Sequence, residues 1–326
     1  VLPILAASIV FPTETELMNV PCLSDVEASL SILRQLGCTA VREDNDVYID
    51  SRSISSNVIP RSMMECMRSS VLFMGALLAR CGEVHLTAPG GCKLGARPID
   101  MHISAMKALG AEVKECGCEI VCRAHRLKGA RIALPYPSVG ATENAMLAAC
   151  AAEGETVITG AAREPEIEDL QEYLRKAGAY ISGAGTANIT ISGFDADSHI
   201  GHRIMPDRIA AATFLCAAAA AGGDIELRGV DFRHFYRLQH FLKQAGCDII
   251  ASNRSLRLIS DGKLGSVGRV ETGPYPEFPT DMQPLLMAAL LKASGKTDFV
   301  ENVFDSRFGH TRELARFGAD ISVEGR

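Results

Sequence analysis

The phrase LRQLGCTAV at residues 33–41 contains the pattern that decides the fold, because it recurs four more times. The other copies are MKALGAEVK (106–114), LRKAGAYIS (174–182), LKQAGCDII (242–250) and LARFGADIS (314–322). Each copy is typical of a helix that ends at a glycine before a strand, since a helix C-terminus favours a left-handed residue. The glycines are Gly37, Gly110, Gly178, Gly246 and Gly318, spaced 73, 68, 68 and 72 residues apart. This spacing predicts a repeated structural unit of about 70 residues.

A second, strongly apolar pattern recurs in phase with the first. Its copies are SSVLFMGALLARCG (69–82), ATENAMLAACAAEG (141–154), RIAAATFLCAAAAAGG (208–223) and DMQPLLMAALLKASG (281–295). A helix that is apolar on all sides is expected to be buried on all sides. One unit therefore combines a buried helix, a strand, an amphipathic helix and further strands, and VLPILAASIV (1–10) fits the buried-helix position. Buried helices favour closed groups of units over a linear solenoid, which leaves one helical face in water.

Composition limits the possible functions. A length of 326 residues suggests two domains. The net charge is −6 without a basic cluster, which excludes nucleic acid and anionic membranes as partners. The N-terminal segment lacks a basic region, and no apolar run is long enough to span a bilayer, so we expect neither signal peptide nor membrane helix. Eleven irregularly spaced cysteines indicate reduced thiols and a cytoplasmic location.

Polar residues precede each predicted buried helix. Serine, threonine and aspartate at such positions are ordinary N-caps, and for Ser138 that interpretation remains open. Arg68 and Arg208 are different, because a cation is disfavoured at a helix N-terminus. They are better explained by a bound anion, and helix N-termini that converge on one place form a phosphate site.

The loop PGGCKLGARPID (89–100) combines three glycines with Cys92, which lies beside Lys93 and five residues before Arg97. Such surroundings lower the pKa of a thiol and make it reactive, so Cys92 is a candidate reactive residue rather than a plain loop cysteine. Cys150 and Cys216 lie in apolar helices and are expected to act as small hydrophobic side chains.

Two other groups of polar residues are not expected to form sites. The segment ECGCEIVCRAH (115–125) lacks the paired spacing of a zinc site and is expected to form a turn between two strands. His199 and His202 are expected to lie in a linker before the fourth unit.

The loop PGGCKLGARPID resembles a motif of the UDP-N-acetylglucosamine 1-carboxyvinyltransferases, a family of enolpyruvyl transferases. Further matching motifs follow in order along the chain: SVGATEN (138–144), AAREPEIEDL (161–170), PDRI (206–209), FPTDMQ (278–283) and FDSRFGHTRELARFGAD (304–320). The resemblance implies an α/β fold of two domains, each an inside-out α/β barrel of βαβαββ units. It also implies that phosphoenolpyruvate donates its enolpyruvyl group to the 3-hydroxyl of UDP-N-acetylglucosamine, with neither metal nor organic cofactor, in the first committed step of peptidoglycan synthesis.

The resemblance assigns a role to individual residues. Cys92 corresponds to the general acid that fosfomycin alkylates, and Asp281 corresponds to the general base. The substrate-binding residues that the resemblance implies are Arg68, Arg97, Pro98, Ile99, Asp100, Ser138, Val139, Gly140, Arg208, Val303 and Arg307.

The resemblance also predicts the domains. Residues 1–204 should form a first domain of three units that bears the loop 89–100, and residues 205–326 a second domain with two of an expected three units. The family has a strand with a Lys-Asn pair before residue 1 and a sixth unit with an arginine after residue 326. We therefore expect a chain truncated at both ends, with strongly reduced activity. We also expect this chain to be a monomer. The alternatives are a non-catalytic nucleotide-sugar-binding remnant and a shikimate 3-phosphate enolpyruvyl transferase, which lacks the loop cysteine.

Overall fold

The computed structural model describes residues 1–90, 98–195, 199–252 and 254–325. Contacts within the chain divide them into two compact units, with the boundary between Met205 and Pro206. The first unit comprises residues 1–90 and 98–205, the second residues 206–325, and each has its own apolar core. Within these ranges no helix is both long and apolar enough to cross a bilayer.

The first unit alternates helices and short strands. Its helices are α1 (Leu2–Ala7), α2 (Ser24–Gln35), α3 (Arg61–Met64), α4 (Phe73–Cys81), α5 (Asp100–Ala108), α6 (Val139–Ala149) and α7 (Pro165–Lys176), with a 3₁₀ turn at Arg68–Leu72. Its strands are β1 (Glu14–Met18), β2 (Thr39–Glu43), β3 (Asp46–Asp50), β4 (Glu83–Thr87), β5 (Glu112–Cys116), β6 (Glu119–Arg123), β7 (Arg131–Ala133), β8 (Thr156–Thr159), β9 (Ala179–Ser182), β10 (Asn188–Phe194) and β11 (His199–Arg203).

Three sheets of the first unit repeat one strand order. The orders are β11-β1-β3-β2, β7-β8-β10-β9 and β4-β6-β5, the last extended by a parallel bridge between Val58 and His85. The first pair of each four-stranded sheet is parallel and the others are antiparallel. The succession β7, α6, β8, α7, β9, β10 is βαβαββ, which confirms the predicted repeat.

Strand β11 overturns one prediction. His199 and His202 do not lie in a linker, because residues 199–203 pair in parallel with β1 and complete the sheet of the first repeat. The side chain of His202 is buried, and its Nε2 lies 3.1 Å from Asp169 Oδ1. The error arose because β1 pairs with a strand 185 residues away in sequence, from Glu14 to His199, which no local pattern indicates.

The glycines of the repeat end their helices as predicted. The five φ angles, at Gly37, Gly110, Gly178, Gly246 and Gly318, lie between 91° and 106°. At Gly37 a Cβ would also lie 2.4 Å from Ser55 Oγ. A residue with a side chain at that position would therefore be both strained and too close to its neighbour.

The centre of the first unit is helical. Helix α4 packs on both α1 and α6, and it lies so near α6 at Gly75 that a Cβ there would be 2.4 Å from Asn144 O. Every residue of 141–149 in α6 is buried, as the apolar pattern predicts. The segment 115–125 forms the β5–β6 hairpin with Gly117 in its turn, so the prediction of a turn between two strands is confirmed.

The second unit contains fewer elements among the residues described. Its helices are α8 (Arg208–Ala221), α9 (Tyr236–Gln244), α10 (Gln283–Leu290) and α11 (Gly309–Arg316), with 3₁₀ turns at Phe232–Phe235 and Thr280–Met282. Its strands are β12 (Gly223–Arg228), β13 (Asp248–Ser252), β14 (Ser255–Ser260), β15 (Gly268–Glu271) and β16 (Thr297–Val300). They form an antiparallel sheet β12-β14-β13 and a parallel pair β15-β16.

Helix α8 contradicts the expectation that every apolar helix is buried on all sides. Its inner face packs against α10, α9 and strands β12 and β14. The opposite face is exposed at Ala210, Thr213 and Phe214, and Phe214 is 62% exposed. Both faces are largely apolar, but among the described residues of the second unit no element packs on the outer one.

Candidate active site

The N-terminus of α6, residues 138–140, is called the α6 entrance below. Ser138 is its N-cap in extended backbone conformation, and its Oγ accepts a hydrogen bond from Ala141 N at 3.4 Å. That distance is long for a hydrogen bond, so the cap is weak. The first N–H groups of a helix have no partner within the helix and favour an anion. Val139 and Gly140, which supply such groups, are half-buried.

Thr142 holds the α6 entrance in place. Its Oγ1 donates to Ser138 O at 2.8 Å and accepts from Ala162 N at 3.0 Å, which ties the helix to the segment before α7. The next residue, Glu143, is also buried. Burial raises the pKa of Glu143 to about 8, and the negative charges of Glu166 and Glu164 act in the same direction.

The N-terminus of α5 lies beside Arg68. Ile99 is the N-cap of this helix and accepts from Ile103 N at 3.0 Å, while Asp100 occupies the first turn, where a negative charge is favourable. The side chains of Pro98 and Asp100 are exposed. Arg68 Nη2 lies 3.5 Å from Pro98 O, so the structure brings Arg68 to the beginning of α5.

His102, in the first turn of α5, connects the two helix N-termini. Its side chain is only 6% exposed and lies against Gly140. Burial lowers the pKa of His102 to about 4, and the charge of Arg68 acts in the same direction while Asp100 opposes it. The ring is therefore neutral at pH 7 and lies close to the α6 entrance.

Two of the predicted site residues, Cys92 and Arg97, lie outside the described residues, and their roles stay predictions. All cysteines within the described ranges are free thiols. Cys150 and Cys216 are buried, and burial raises the pKa of each to about 12, so they are inert at neutral pH.

In the second unit, the 3₁₀ turn that leads into α10 carries the predicted base. We call residues 279–282 the α10 entrance. Arg307 Nη2 donates to Asp281 Oδ1 at 2.8 Å and to Thr280 O at 3.2 Å. The Arg307 side chain is 13% exposed and that of Asp281 is 58% exposed. A half-buried guanidinium thus orients a carboxylate that solvent and substrate can reach.

Glu301 holds the α10 entrance and the loop after β16 in place through hydrogen bonds. It is 1% exposed and follows strand β16. Its Oε1 accepts from the backbone N–H groups of Val303 at 2.8 Å and Phe304 at 3.0 Å, and its Oε2 accepts from Thr280 Oγ1 at 3.0 Å. One buried carboxylate therefore fixes both the loop of Val303 and the residue next to Asp281.

Arg208 lies at the beginning of α8 and is 8% exposed. The cap of this helix is Asp207, whose Oδ1 accepts from Ile209 N at 2.8 Å and Ala210 N at 3.0 Å. The helix thus has a strong carboxylate cap directly before a buried arginine.

Sequence reasoning missed His102, Asn144 and Glu301. The available signal for the first two was a run of polar residues, Thr142 to Asn144, in an otherwise apolar helix, and a histidine two residues after Asp100. Glu301 was indicated only by an acidic residue directly after an apolar strand. Among the described residues, no group of three or more His, Cys, Asp or Glu is placed to hold a metal ion.

Comparison with known proteins places the chain in a family. A family model described as EPSP synthase (3-phosphoshikimate 1-carboxyvinyltransferase) matches residues 1–325. The chain belongs to this family of enolpyruvyl transferases. Its fold is the two-domain α/β fold of that family, and the protein is a transferase by descent.

Two individual relatives share 44% of their aligned residues with this chain. The chain is 44% identical over 326 residues to UDP-N-acetylglucosamine 1-carboxyvinyltransferase 2 of Caldanaerobacter subterraneus subsp. tengcongensis, covering all of this chain and 78% of the relative. It is 44% identical over 324 residues to UDP-N-acetylglucosamine 1-carboxyvinyltransferase of Geotalea uraniireducens, covering 99% of this chain and 78% of the relative. These names agree with the family that the loop motif predicts.

Solved structures share the fold. The enolpyruvyl transferase NikO from Streptomyces tendae superposes with a TM-score of 0.89 at 21% identity, over 99% of this chain and 77% of that protein. EPSP synthase from Acinetobacter baumannii gives a TM-score of 0.67 at 23% identity, over 91% of this chain and 70% of that protein.

Proposed function

We propose that this enolpyruvyl transferase transfers the enolpyruvyl group of phosphoenolpyruvate to the 3-hydroxyl of UDP-N-acetylglucosamine. The observation that carries the proposal is the 41–44% identity, along 99–100% of the chain, to relatives named for this reaction. The reaction supplies peptidoglycan synthesis, and we infer that the protein works in the cytoplasm as a monomer.

The reaction proceeds by addition and elimination without a change in oxidation state. The acceptor oxygen bonds to C2 of phosphoenolpyruvate as its proton passes to a base and C3 gains a proton from an acid. Phosphate then leaves C2 while C3 loses a proton, which restores the double bond. The net products are an enolpyruvyl ether and inorganic phosphate.

The two proton transfers have separate candidates. Asp281 is proposed as the base for the acceptor hydroxyl, and its exposed carboxylate, held by Arg307 at 2.8 Å, supports that role. Cys92 is proposed as the acid that protonates C3, which rests on the family motif around it. A thiol suits this step because it can approach a CH2 group and titrate near neutral pH when cations surround it.

The proposed binding groups come from both units of the chain. Ser138, Val139 and Gly140 are proposed to bind the diphosphate through the N-terminus of α6. The residues proposed for the uridine are Pro98, Ile99 and Asp100, and those proposed for phosphate and substrate charge are Arg68, Arg97, Arg208 and Arg307. Val303 is proposed as a further substrate-binding residue. The weak Ser138 cap supports its role, because a hydroxyl with one long hydrogen bond remains available to a ligand.

Fosfomycin labelling followed by intact-mass measurement tests this proposal on the chain itself. We expect one adduct, which peptide mapping assigns to Cys92 and which forms faster with UDP-N-acetylglucosamine present. The adduct should disappear in Cys92→Ser and persist in the matched control Cys118→Ser, since Cys118 is an exposed thiol of the β5–β6 hairpin. Equal labelling of the Cys92→Ser variant, or no labelling of the unchanged chain, would contradict the proposal.

A further inference from the structure

The orientation of the Asn144 side chain is determined by two backbone groups. Its Oδ1 lies 2.6 Å from Gly75 N, and its Nδ2 lies 2.8 Å from Val71 O. A backbone N–H can only donate and a carbonyl can only accept, so the oxygen must face Gly75 and the NH2 must face Val71. The usual ambiguity between amide oxygen and nitrogen is therefore removed by chemistry.

The same NH2 group makes a third contact. Asn144 Nδ2 lies 2.9 Å from Nδ1 of His102. Because the amide nitrogen is a donor, Nδ1 of the imidazole must accept and cannot carry a proton. A neutral imidazole has one N–H, so the proton of His102 is on Nε2.

Nε2 lies near the α6 entrance. A Cβ built on Gly140 would lie 3.2 Å from Cε1 of His102 and 3.5 Å from Nε2. The His102 side chain is more than nine-tenths buried, but its Nε2 atom keeps access to solvent and makes no hydrogen bond to any described residue. A ligand oxygen at the α6 entrance can therefore reach this N–H.

We propose that Asn144 fixes His102 in the tautomer with its proton on Nε2, and that this N–H donates to a diphosphate oxygen of the nucleotide at the α6 entrance. This inference rests on the proposed function for the identity of the ligand. His102 is then a substrate-binding residue, and Asn144 is a positioning residue that acts through it.

The surroundings favour a neutral donor. Arg68 and Asp100 are the charged groups that act on His102, and burial keeps its ring uncharged. If Nδ1 of His102 were protonated, two donors would face each other, the imidazole N–H and the amide NH2 of Asn144. The amide cannot rotate to present its oxygen instead, because it would lose its hydrogen bonds with Gly75 N and Val71 O. The nucleotide is thus gripped by arginine charge and by one directional donor that does not titrate near pH 7.

Nitrogen-15 NMR of histidine-labelled protein tests the tautomer directly. We expect the signal that is lost in His102→Gln to show a protonated Nε2 and a bare Nδ1. In Asn144→Asp the carboxylate can only accept, so the proton should move to Nδ1, while the exposed control Asn188→Asp should leave the signal unchanged. A proton on Nδ1 in the unchanged chain would overturn the inference.

Calorimetric binding of UDP, with uridine as the phosphate-free comparison, tests the donor. His102→Leu should weaken UDP binding by about tenfold to hundredfold, the value of a hydrogen bond to a charged group. His102→Gln, whose side-chain N–H reaches about the position of Nε2, should retain affinity within about threefold, and uridine binding should be equal in both variants. Thermal unfolding verifies that each variant is folded.

The possible failures are distinguishable. Unchanged UDP affinity in a folded His102→Leu variant, or an equal loss of uridine binding, would overturn the donor role. If the unchanged chain does not bind UDP at all, the proposed function and the diphosphate contact both fail, while the NMR result still decides the tautomer.

Discussion

The α6 entrance and the α10 entrance occupy the same place in the repeat, before a buried helix, but they carry different chemistry. Behind the α6 entrance the side chains of His102 and Asn144 are buried and neutral, with His102 6% exposed and Asn144 fully enclosed. At the α10 entrance the groups are charged, and the Asp281 side chain is 58% exposed beside Arg307.

The difference shows how one scaffold supports binding and catalysis. Buried neutral donors keep their protonation state and can hold an anionic group in one position. An exposed carboxylate can approach a substrate hydroxyl and exchange a proton. The repeat positions the helix N-termini, and the residues that precede or contact each helix determine whether that N-terminus serves binding or proton transfer.

The largest expected effect separates catalysis from binding. Asp281→Asn keeps an acceptor for Arg307 but removes the proposed base, so product formation from UDP-N-acetylglucosamine and phosphoenolpyruvate should fall about 10²–10⁴-fold. UDP affinity, measured by calorimetry, should stay within about twofold. Asp298→Asn, an exposed carboxylate paired with Lys296, is the matched control and should have no effect on either value. A comparable loss of UDP affinity in Asp281→Asn would remove the distinction between the two entrances.

The next effect concerns the helices behind the entrances. Leu147→Ala in α6 should lower the free energy of unfolding by about 2–5 kcal/mol, because Leu147 is fully buried. Phe214→Ala in α8 should change it by about 0.5 kcal/mol or less, because Phe214 is 62% exposed. Urea unfolding measures both. A large loss at Phe214 would mean that the outer face of α8 is covered in solution.

A pH effect should belong to the buried carboxyl group of α6. The pKa of Glu143 is about 8 in the folded chain and 4.5 as its ordinary value, so between these limits the folded chain holds a proton that the unfolded chain releases. The free energy of unfolding should therefore fall with rising pH in this window, by about 1.4 kcal/mol per unit from this group.

Glu143→Gln should remove that slope, while Glu168→Gln, exposed on α7, should retain it. Denaturant unfolding between pH 5 and 8 is the measurement, with the difference between each variant and the unchanged chain as the readout. The same slope in both variants would show that another group is responsible.

The smallest effect compares two helix caps. Ser138 accepts one hydrogen bond at 3.4 Å, whereas Asp207 accepts two at 2.8 and 3.0 Å. Asp207→Ala should cost about 1–2 kcal/mol of unfolding free energy and Ser138→Ala about 0.5 kcal/mol, as judged by thermal unfolding. If Ser138→Ala proves the more damaging of the two, Ser138 is chiefly a cap and its proposed role in binding loses support.

Much of the fold could be predicted from periodicity. The five repeat glycines have positive φ angles, as the spacing predicts, and the βαβαββ order that the family resemblance implies appears in the first unit. The exposure of α8 could not be predicted, because burial depends on neighbours as well as on composition. The place of His199 and His202 in β11 was missed because β11 pairs with β1, at the other end of the unit.

The candidate site was predicted in outline only. The helix N-termini and the motif FPTDMQ around Asp281 could be located from the sequence. The contact between Asn144 and His102 could not, because it joins positions 42 residues apart. No helical or strand period relates such positions, so only the packing of α4, α5 and α6 reveals the contact. The partner of Asp281, Arg307, is likewise set by the loop that Glu301 holds.

The most direct test of the central claim is a competition between acceptors. The chain is incubated with phosphoenolpyruvate and equal concentrations of UDP-N-acetylglucosamine and shikimate 3-phosphate, and products are identified by mass spectrometry with inorganic phosphate measured in parallel. We expect UDP-N-acetylglucosamine to gain one enolpyruvyl group for each phosphate released, with shikimate 3-phosphate unchanged. Enolpyruvyl transfer to shikimate 3-phosphate, or no transfer to the nucleotide sugar, would contradict the proposed function.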